Sequence, residues 1–355
     1  MSAIYLKSDI AEIGSRLGRE ARAFSGKTVV LCGGRGFLGR YFTAVFTHLN
    51  ETVLKKPCRL IVLDNLITAG KAGSEALIIP HGRFIKHDVS KPFKPSFKVD
   101  YILQAAGIAS PYYYRMYPLQ TLEASIAGTK NMLDLAIKSS ARLLFFSSSE
   151  IYGDPDPKHV PTPESYRGNV ACLGPRACYD ESKRLGETLC YVYHHQFGAK
   201  AVMVRPFNVY GPGMQERDYR VLPNFAARIK AGLPLRLYGH GRQTRTFCYV
   251  TDALTGFLKV LLSGAPGEAY NIGNPKPEVS MLELAKYAAR AVDRPVKHQI
   301  VDYPDSYPAD EPNRRCPDIT KARMALGFEP KVGLDEGLKR FFHWTDANYS
   351  GDPGK

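Results

Sequence analysis

Two short stretches carry the residue types that do chemistry. In "ACYDESKR", Tyr179 and Lys183 stand four residues apart, a spacing that a helix brings to one face. A lysine ammonium, or another cation nearby, lowers a phenol's pKa and makes it a base able to take a proton from a hydroxyl. Standing alone, such a pair is as readily an incidental feature of a surface helix. The second stretch is "SSSEIYG", where the apolar run Leu143 to Phe146 stops in Ser147, Ser148 and Ser149 and a carboxylate, Glu150, follows. Glu150 could simply cap the next turn. A charge at the mouth of a buried strand, however, needs a partner or a task.

A third stretch supplies the context. "TVVLCGGRGFLGR" places Gly33, Gly34, Gly36 and Gly39 between a strand and a helix. Glycines there allow a tight turn and close approach of the backbone to a pyrophosphate, which then sits on the helix N-terminus. The next strand ends at Asp64, where an acid reaches the adenosine ribose hydroxyls of NAD and repels the extra phosphate of NADP. Arg35, inside the loop, points the other way, because it could assist a 2'-phosphate. With a dinucleotide site beside them, the nicotinamide cation joins Lys183 in lowering the phenol's pKa, and Tyr179 becomes a base that takes a proton from a sugar hydroxyl as hydride leaves.

These residues need a scaffold, and the chain has the length for one. Its 355 residues suit one large domain or two joined ones, and an apolar fraction of 44% is ordinary for a soluble globular protein. The formal charge of +14 favours anionic partners. Lys and Arg are scattered rather than gathered in a stripe, which argues against nucleic acid and leaves phosphorylated metabolites. The seven cysteines include no CxxC pair, so neither a disulfide framework nor a zinc or other metal site is expected. The N-terminal stretch is charged throughout and no run reaches the length of a membrane span, so a soluble cytoplasmic protein is expected.

From Lys27 onward, apolar runs alternate with helical stretches: "KTVVLCG" then "GFLGRYFTAVFTHL"; "RLIVLD"; "VDYILQAAG" then "TLEASIAGTKNMLDLAIKS"; "ARLLFFSSS". This is the pattern of an α/β fold, a doubly wound parallel sheet with helices on both faces. Residues 8 to 24 read as a helix capped by Ser8, with Ile10, Ile13 and Leu17 on one face, packing on the body or on a neighbouring subunit. The division expected is an N-terminal extension at 1–25, a cofactor domain at 26–205 to which 240–265 returns, and a smaller substrate domain at 206–239 and 266–347. Helices are expected near 280 to 292 and 333 to 347. Asp252 reads as structural, tying the returning strand to its helix, and the final "SGDPGK" reads as disordered.

Taken together, Gly33-x-x-Gly36-x-x-Gly39, "SSSEIYG", Tyr179-x-x-x-Lys183 and "RPFNVYGPG" resemble the extended short-chain dehydrogenase/reductases that act on nucleotide sugars. "DNLITAGK", "HDV", "GPRACYDESKR", "GHGRQTRTFCYVTD" and "RRCPDI" resemble, within them, the UDP-glucuronate decarboxylases. The resemblance runs from about Lys27 to Trp344. It implies a Rossmann-type domain, a homodimer built on paired helices, NAD as cofactor and a UDP-sugar as substrate. It implies cofactor contacts at Gly33, Gly36, Phe37, Leu38, Gly39, Asp64, Asn65, Asp88 and Val89, with Tyr179 and Lys183 at the reacting end. Catalytic roles follow for Tyr179, Lys183, Ser148, Ser149, Glu150 and Arg315. Substrate contacts follow for Asn208, Arg220, Tyr238, Arg245 and Arg315, with Tyr238 packed on the uracil and the arginines on the diphosphate or the sugar.

The implied reaction is oxidation at C4 of UDP-glucuronate, loss of the C6 carboxylate and re-reduction to UDP-xylose. Three departures stand out. Ser148 replaces the family's usual Thr, Cys316 replaces a Lys, and the tyrosine-rich "SPYYYRMYP", residues 110 to 118, differs from the usual substrate loop. A nucleotide-sugar 4-epimerase, a decarboxylase that releases the 4-keto pentose, and a non-catalytic NAD-binding sensor remain as alternatives.

Overall fold

The computed structural model describes residues 4–70, 79–303 and 312–354. Lys71 of "DNLITAGK" lies outside the described residues.

Seven parallel strands form the central sheet: β1 (Thr28–Cys32), β2 (Arg59–Asp64), β3 (Gly82–Lys86), β4 (Tyr101–Gln104), β5 (Arg142–Phe146), β6 (Lys200–Pro206) and β7 (Ala269–Ile272). Their spatial order is β7-β6-β5-β4-β1-β2-β3. The apolar runs become strands because β1, β2 and β5 are covered on both faces, with Val29 to Cys32, Leu60 to Leu63 and Leu143 to Phe146 buried. The order reverses between β1 and β4, and a crevice opens beyond the carboxyl ends of strands at such a point. β1 ends at the glycine loop and β5 ends just before Ser147, so both chemistry-bearing stretches meet there.

Helices α2 (Phe37–Thr52), α3 (Ala127–Ser139), α4 (Ala177–Phe197) and α5 (Val250–Ser263) cover the sheet. The stretch expected as one helix over residues 121 to 139 is two, Pro118–Ser125 and α3, with the chain turning at Ile126. Strand β7, assigned from sequence to the substrate domain, is the edge of the central sheet, pairing with β6. Outside the sheet, small strand pairs carry the remaining site residues. Arg315 pairs beside Arg245, and His298–Val301 runs parallel to Leu235–Tyr238. The late helices fall at Met281–Ala291 and Leu334–Asn348.

The N-terminal helix, α1 (Lys7–Leu17), is followed by a tighter turn of helix, Gly18–Phe24. Ser8 lies inside the first turn rather than capping it; Leu6 holds the cap position without a side-chain bond. Ile10, Ile13 and Leu17 are buried as expected, against α5 and α2 of the same chain. Fully buried Asp9 accepts hydrogen bonds from Tyr249 at 2.8 Å and Tyr41 at 3.3 Å, and pairs with Arg340 at 3.3 Å. Arg16 pairs with Asp252 at 2.6 Å, and Asp252 also accepts from the Lys331 and Val332 amides. Asp252 is thus structural, but it ties α5 to the N-terminal helix and to the loop before the last helix.

Residues 350–352 of the stretch expected to be disordered are held by one side chain, and Lys355 lies outside the described residues. The Glu216 carboxylate accepts from the amides of Ser350 at 3.0 Å, Gly351 at 2.7 Å and Asp352 at 2.8 Å. Asp352 also pairs with Arg217.

Candidate active site

A single cleft of about 1130 Å³ runs along the carboxyl ends of the strands, from the glycine loop to Arg236 and Tyr238. Every cofactor, substrate and catalytic residue expected from the sequence lines it. Among the described residues no cluster of three or more His, Cys, Asp or Glu could hold a metal ion.

At one end, Gly33 adopts φ +73°, and a Cβ there would meet Ala105 O and Ala106 Cα at 2.8 Å. A Cβ on Gly39 would meet Gly33 O at 2.3 Å, so α2 can start this close to the loop only with glycine. Gly36 caps α2 without a side-chain hydrogen bond, leaving the first-turn amides of the helix directed at the cleft. Asp64 accepts from the amides of Arg35 at 2.8 Å and Leu66 at 2.7 Å. Burial raises its pKa and those two amides oppose the rise. The Asp88 side chain accepts from Ser90 N at 2.9 Å, and Asn65 reaches it at 3.5 Å. A bare helix N-terminus, a glycine cradle and a strand-end acid together fit the pyrophosphate and ribose of a dinucleotide.

Two contacts join this end to the substrate side. Buried Arg40, one turn into α2, donates to Arg35 O at 3.0 Å and to Gly213 O. Gln215 donates to Thr68 O at 3.1 Å and Ala69 O at 3.0 Å, beside Asp64.

At the reacting end, α4 presents Tyr179 and Lys183, both buried. Lys183 Nζ donates to Phe146 O at 2.9 Å and lies 5.6 Å from the centre of the Tyr179 ring. Burial pulls the Lys183 pKa down to about 8. The depression expected for Tyr179 needs the nicotinamide cation as well as Lys183, and on balance the protein's own groups act the other way. Burial pushes the phenol up to about 12, with a hydrogen bond to Ser148 working against the rise. The charges of Glu150 and Asp180 push the same way as burial, and Arg220 opposes them. The protein alone therefore keeps the phenol protonated, because seclusion outweighs the local cation.

Ser148 Oγ accepts from the Glu150 amide at 3.2 Å and so starts the turn Ser149–Tyr152. The Glu150 carboxylate does not cap this turn. Its two oxygens accept from Arg315 Nη1 and Nη2 at 2.5 and 2.7 Å, and Arg176 Nη2 grips one of them. Burial penalises its charge, but Arg315, Arg176 and Arg245 outweigh that penalty and hold the carboxyl below the usual range. Tyr152 anchors the turn from below, donating to Asn271 at 2.8 Å and accepting from Arg205 at 2.7 Å.

On the substrate side, Arg220 forms a forked pair with Asp218, one bond measuring 2.7 Å. Arg245 is buried and donates to Thr244 O at 2.9 Å. Asn208, at φ +41°, donates to Thr246 O at 2.8 Å. Tyr238 stacks on Tyr303, centres 5.6 Å apart and planes 19° apart, a ready aromatic platform for a base.

Three residues here escaped the sequence reading. Tyr114, in the tyrosine-rich loop, stacks on Tyr179 at 5.4 Å and 15°. Arg176 and Asp180 lie within "GPRACYDESKR" itself, on either side of Tyr179. Arg176 Nε stands 3.5 Å from Asp180, whose pKa rises to about 7 through burial and the Glu150 charge.

The family model for the NAD dependent epimerase/dehydratase family matches residues 29–273. The chain belongs to that family. UDP-glucuronic acid decarboxylase 5 of Arabidopsis thaliana is 41% identical over 317 residues, covering 88% of each chain. UDP-glucuronic acid decarboxylase 1 of Xenopus tropicalis is 40% identical over 320 residues, 90% of this chain and 72% of the relative. Among solved structures, a dTDP-glucose 4,6-dehydratase from Streptomyces venezuelae with NAD and TYD bound superposes with a TM-score of 0.75 at 25% identity, covering 90% of this chain and 97% of that one. A UDP-glucose 4-epimerase from Thermotoga maritima with UDP-glucose shares the fold, with a TM-score of 0.75 at 24% identity over 89% and 98% of the two chains.

Proposed function

We infer that this family member is a UDP-glucuronate decarboxylase that uses NAD and yields UDP-xylose. The observation that carries the reading is the Glu150–Arg315 pair beside Tyr179, a carboxylate and a guanidinium at the place where a sugar C5 and its carboxylate would lie. Relatives of that name at about 40% identity over most of the chain support it.

Bound NAD supplies the oxidising and later the reducing equivalent at C4 of the sugar. Tyr179, with Ser148 bridging to O4, takes the hydroxyl proton, and Lys183 provides the nearby positive charge. With C4 a ketone, the C6 carboxylate belongs to a β-keto acid; carbon dioxide leaves and the electron pair is held as an enolate. Glu150 holds the water that reprotonates C5, and Arg315 takes the substrate carboxylate. Arginines 220 and 245 meet the diphosphate as planar forks, Asn208 turns to the sugar, and Tyr238 packs on the uracil. Asp64 at the ribose favours NAD over NADP. Leu119 on Pro118–Ser125 and Leu185 and Tyr191 on α4 are 66%, 42% and 54% exposed, and such apolar residues on adjacent helices suit a homodimer interface.

The test is an NMR time course with UDP-glucuronate and NAD. UDP-xylose with released carbon dioxide is expected. UDP-galacturonate would make the protein an epimerase, and a 4-keto pentose with accumulating NADH would mean that the second hydride step fails.

A further inference from the structure

Arg176 belongs to no step above, yet it is buried, borders the cleft and touches Glu150. The carboxylate is fully engaged: Arg315 holds both oxygens in a fork, and Arg176 shares one of them. If Arg315 is to take the substrate's carboxylate, that fork must open, and an abandoned buried carboxylate would be costly. Among the described residues, Arg315, Arg176 and Arg245 act on the Glu150 carboxylate, and Arg176 and Arg315 act on Asp180 as well.

We propose that Arg176 is a positioning residue that keeps Glu150 ionised and in place while Arg315 changes partner from Glu150 to the substrate carboxylate, with Asp180 anchoring Arg176 in turn. Three observations fit this arrangement. Arg176 is the second guanidinium on Glu150, it stands 3.5 Å from Asp180, and Asp180 Oδ1 is buried without a hydrogen-bond partner. Arg315 Nε likewise has none. The inference rests on the decarboxylase reading, and it assigns substrate-carboxylate selectivity to a residue that need not touch the sugar.

The experiment compares Arg176→Met, Arg176→Lys and Asp180→Asn with the wild type. Dissociation constants for UDP-glucuronate, which has the carboxylate, and UDP-xylose, which lacks it, are measured by calorimetry on the NAD-loaded protein, alongside turnover. Arg176→Met is expected to weaken UDP-glucuronate about tenfold or more, as loss of about one charge-assisted interaction would, and to leave UDP-xylose within about twofold. Arg176→Lys should recover part of the loss, and adding Glu150→Gln to Arg176→Met should abolish it, because the two residues act through one contact. Asp180→Asn, the milder change if Arg176→Met fails to fold, should shift UDP-glucuronate binding in the same direction by a smaller factor. Equal weakening of both ligands, or an unchanged UDP-glucuronate constant, overturns the role of Arg176 and leaves the decarboxylase reading standing. A wild type that binds but never decarboxylates UDP-glucuronate overturns both.

Discussion

Replacing Glu150 by Gln separates binding from chemistry. The amide keeps the shape and one acceptor but removes the negative charge that Arg315 holds at 2.5 and 2.7 Å. In the wild type, a substrate carboxylate must compete with Glu150 for Arg315. A hydrogen bond to a charged group is worth about 1.5–3 kcal/mol net. Weakening one of the two by roughly half releases on the order of 1.4 kcal/mol, about a factor of ten in affinity. UDP-glucuronate should therefore bind about tenfold tighter to Glu150→Gln, and UDP-xylose should bind unchanged. Turnover should fall by a factor on the order of 10²–10⁴, the range lost with a positioned proton-handling group. Calorimetry with both nucleotides and initial rates of carbon dioxide release measure the two effects. Weaker UDP-glucuronate binding, or an equal gain for UDP-xylose, would refute the competition for Arg315. Undiminished turnover would remove Glu150 from the chemistry.

Tyr179→Phe should abolish turnover and leave NAD affinity intact by calorimetry; full activity would dismiss the phenol as the base. Ser148→Ala should cost on the order of 10²–10³ in kcat, while Ser148→Thr, which restores only a methyl group, should keep the rate within about tenfold. Lys183 is held at about 8 in the folded chain against an ordinary 10.5. The folded state therefore binds fewer protons than the unfolded one between those values, and wild-type stability gains as pH rises through that window. Relieved of a buried ammonium, Lys183→Met should melt a few degrees higher than wild type at pH 7, with the difference shrinking towards pH 10.5, and should lose turnover; a constant gap across that range would contradict the burial argument. Leu185→Asp combined with Leu119→Asp should convert a dimer to a monomer in sedimentation; an unchanged sedimentation coefficient would move the interface elsewhere.

Residues whose role depends on local spacing were legible in the chain. Gly33, Gly36 and Gly39 mark a strand-to-helix turn that only small residues permit, and Tyr179 and Lys183 need only a helix to align. The strand ends were legible for the same reason, because a continuous apolar run such as Leu60 to Leu63 stops where the sheet does. Arg176 was not legible. Its partner Glu150 lies 26 positions earlier in the chain, and only tertiary packing of the turn after β5 against the start of α4 brings them together. Strand β7 was missed because its four residues, Ala269–Ile272, sit among loops and acquire strand geometry from the edge of β6. For Tyr179 the sequence shows the cations that would lower its pKa, Lys183 and a bound nicotinamide, whereas the burial that raises it is a property of the folded cleft.

Chain termini are usually the first parts of a protein to fray. Helix α1, Lys7–Leu17, is instead held from several sides. Peeling α1 away would leave Tyr249, Tyr41 and Arg340 facing the vacated site of Asp9, and Asp252 without Arg16. Tyr249 directly follows Cys248, and this two-residue strand pairs with Val209–Tyr210, immediately after Asn208. A helix with no chemical duty thus acts as a wedge behind the substrate wall. In a chimera that borrows the cleft of this protein, Lys7–Phe24 would have to travel with it.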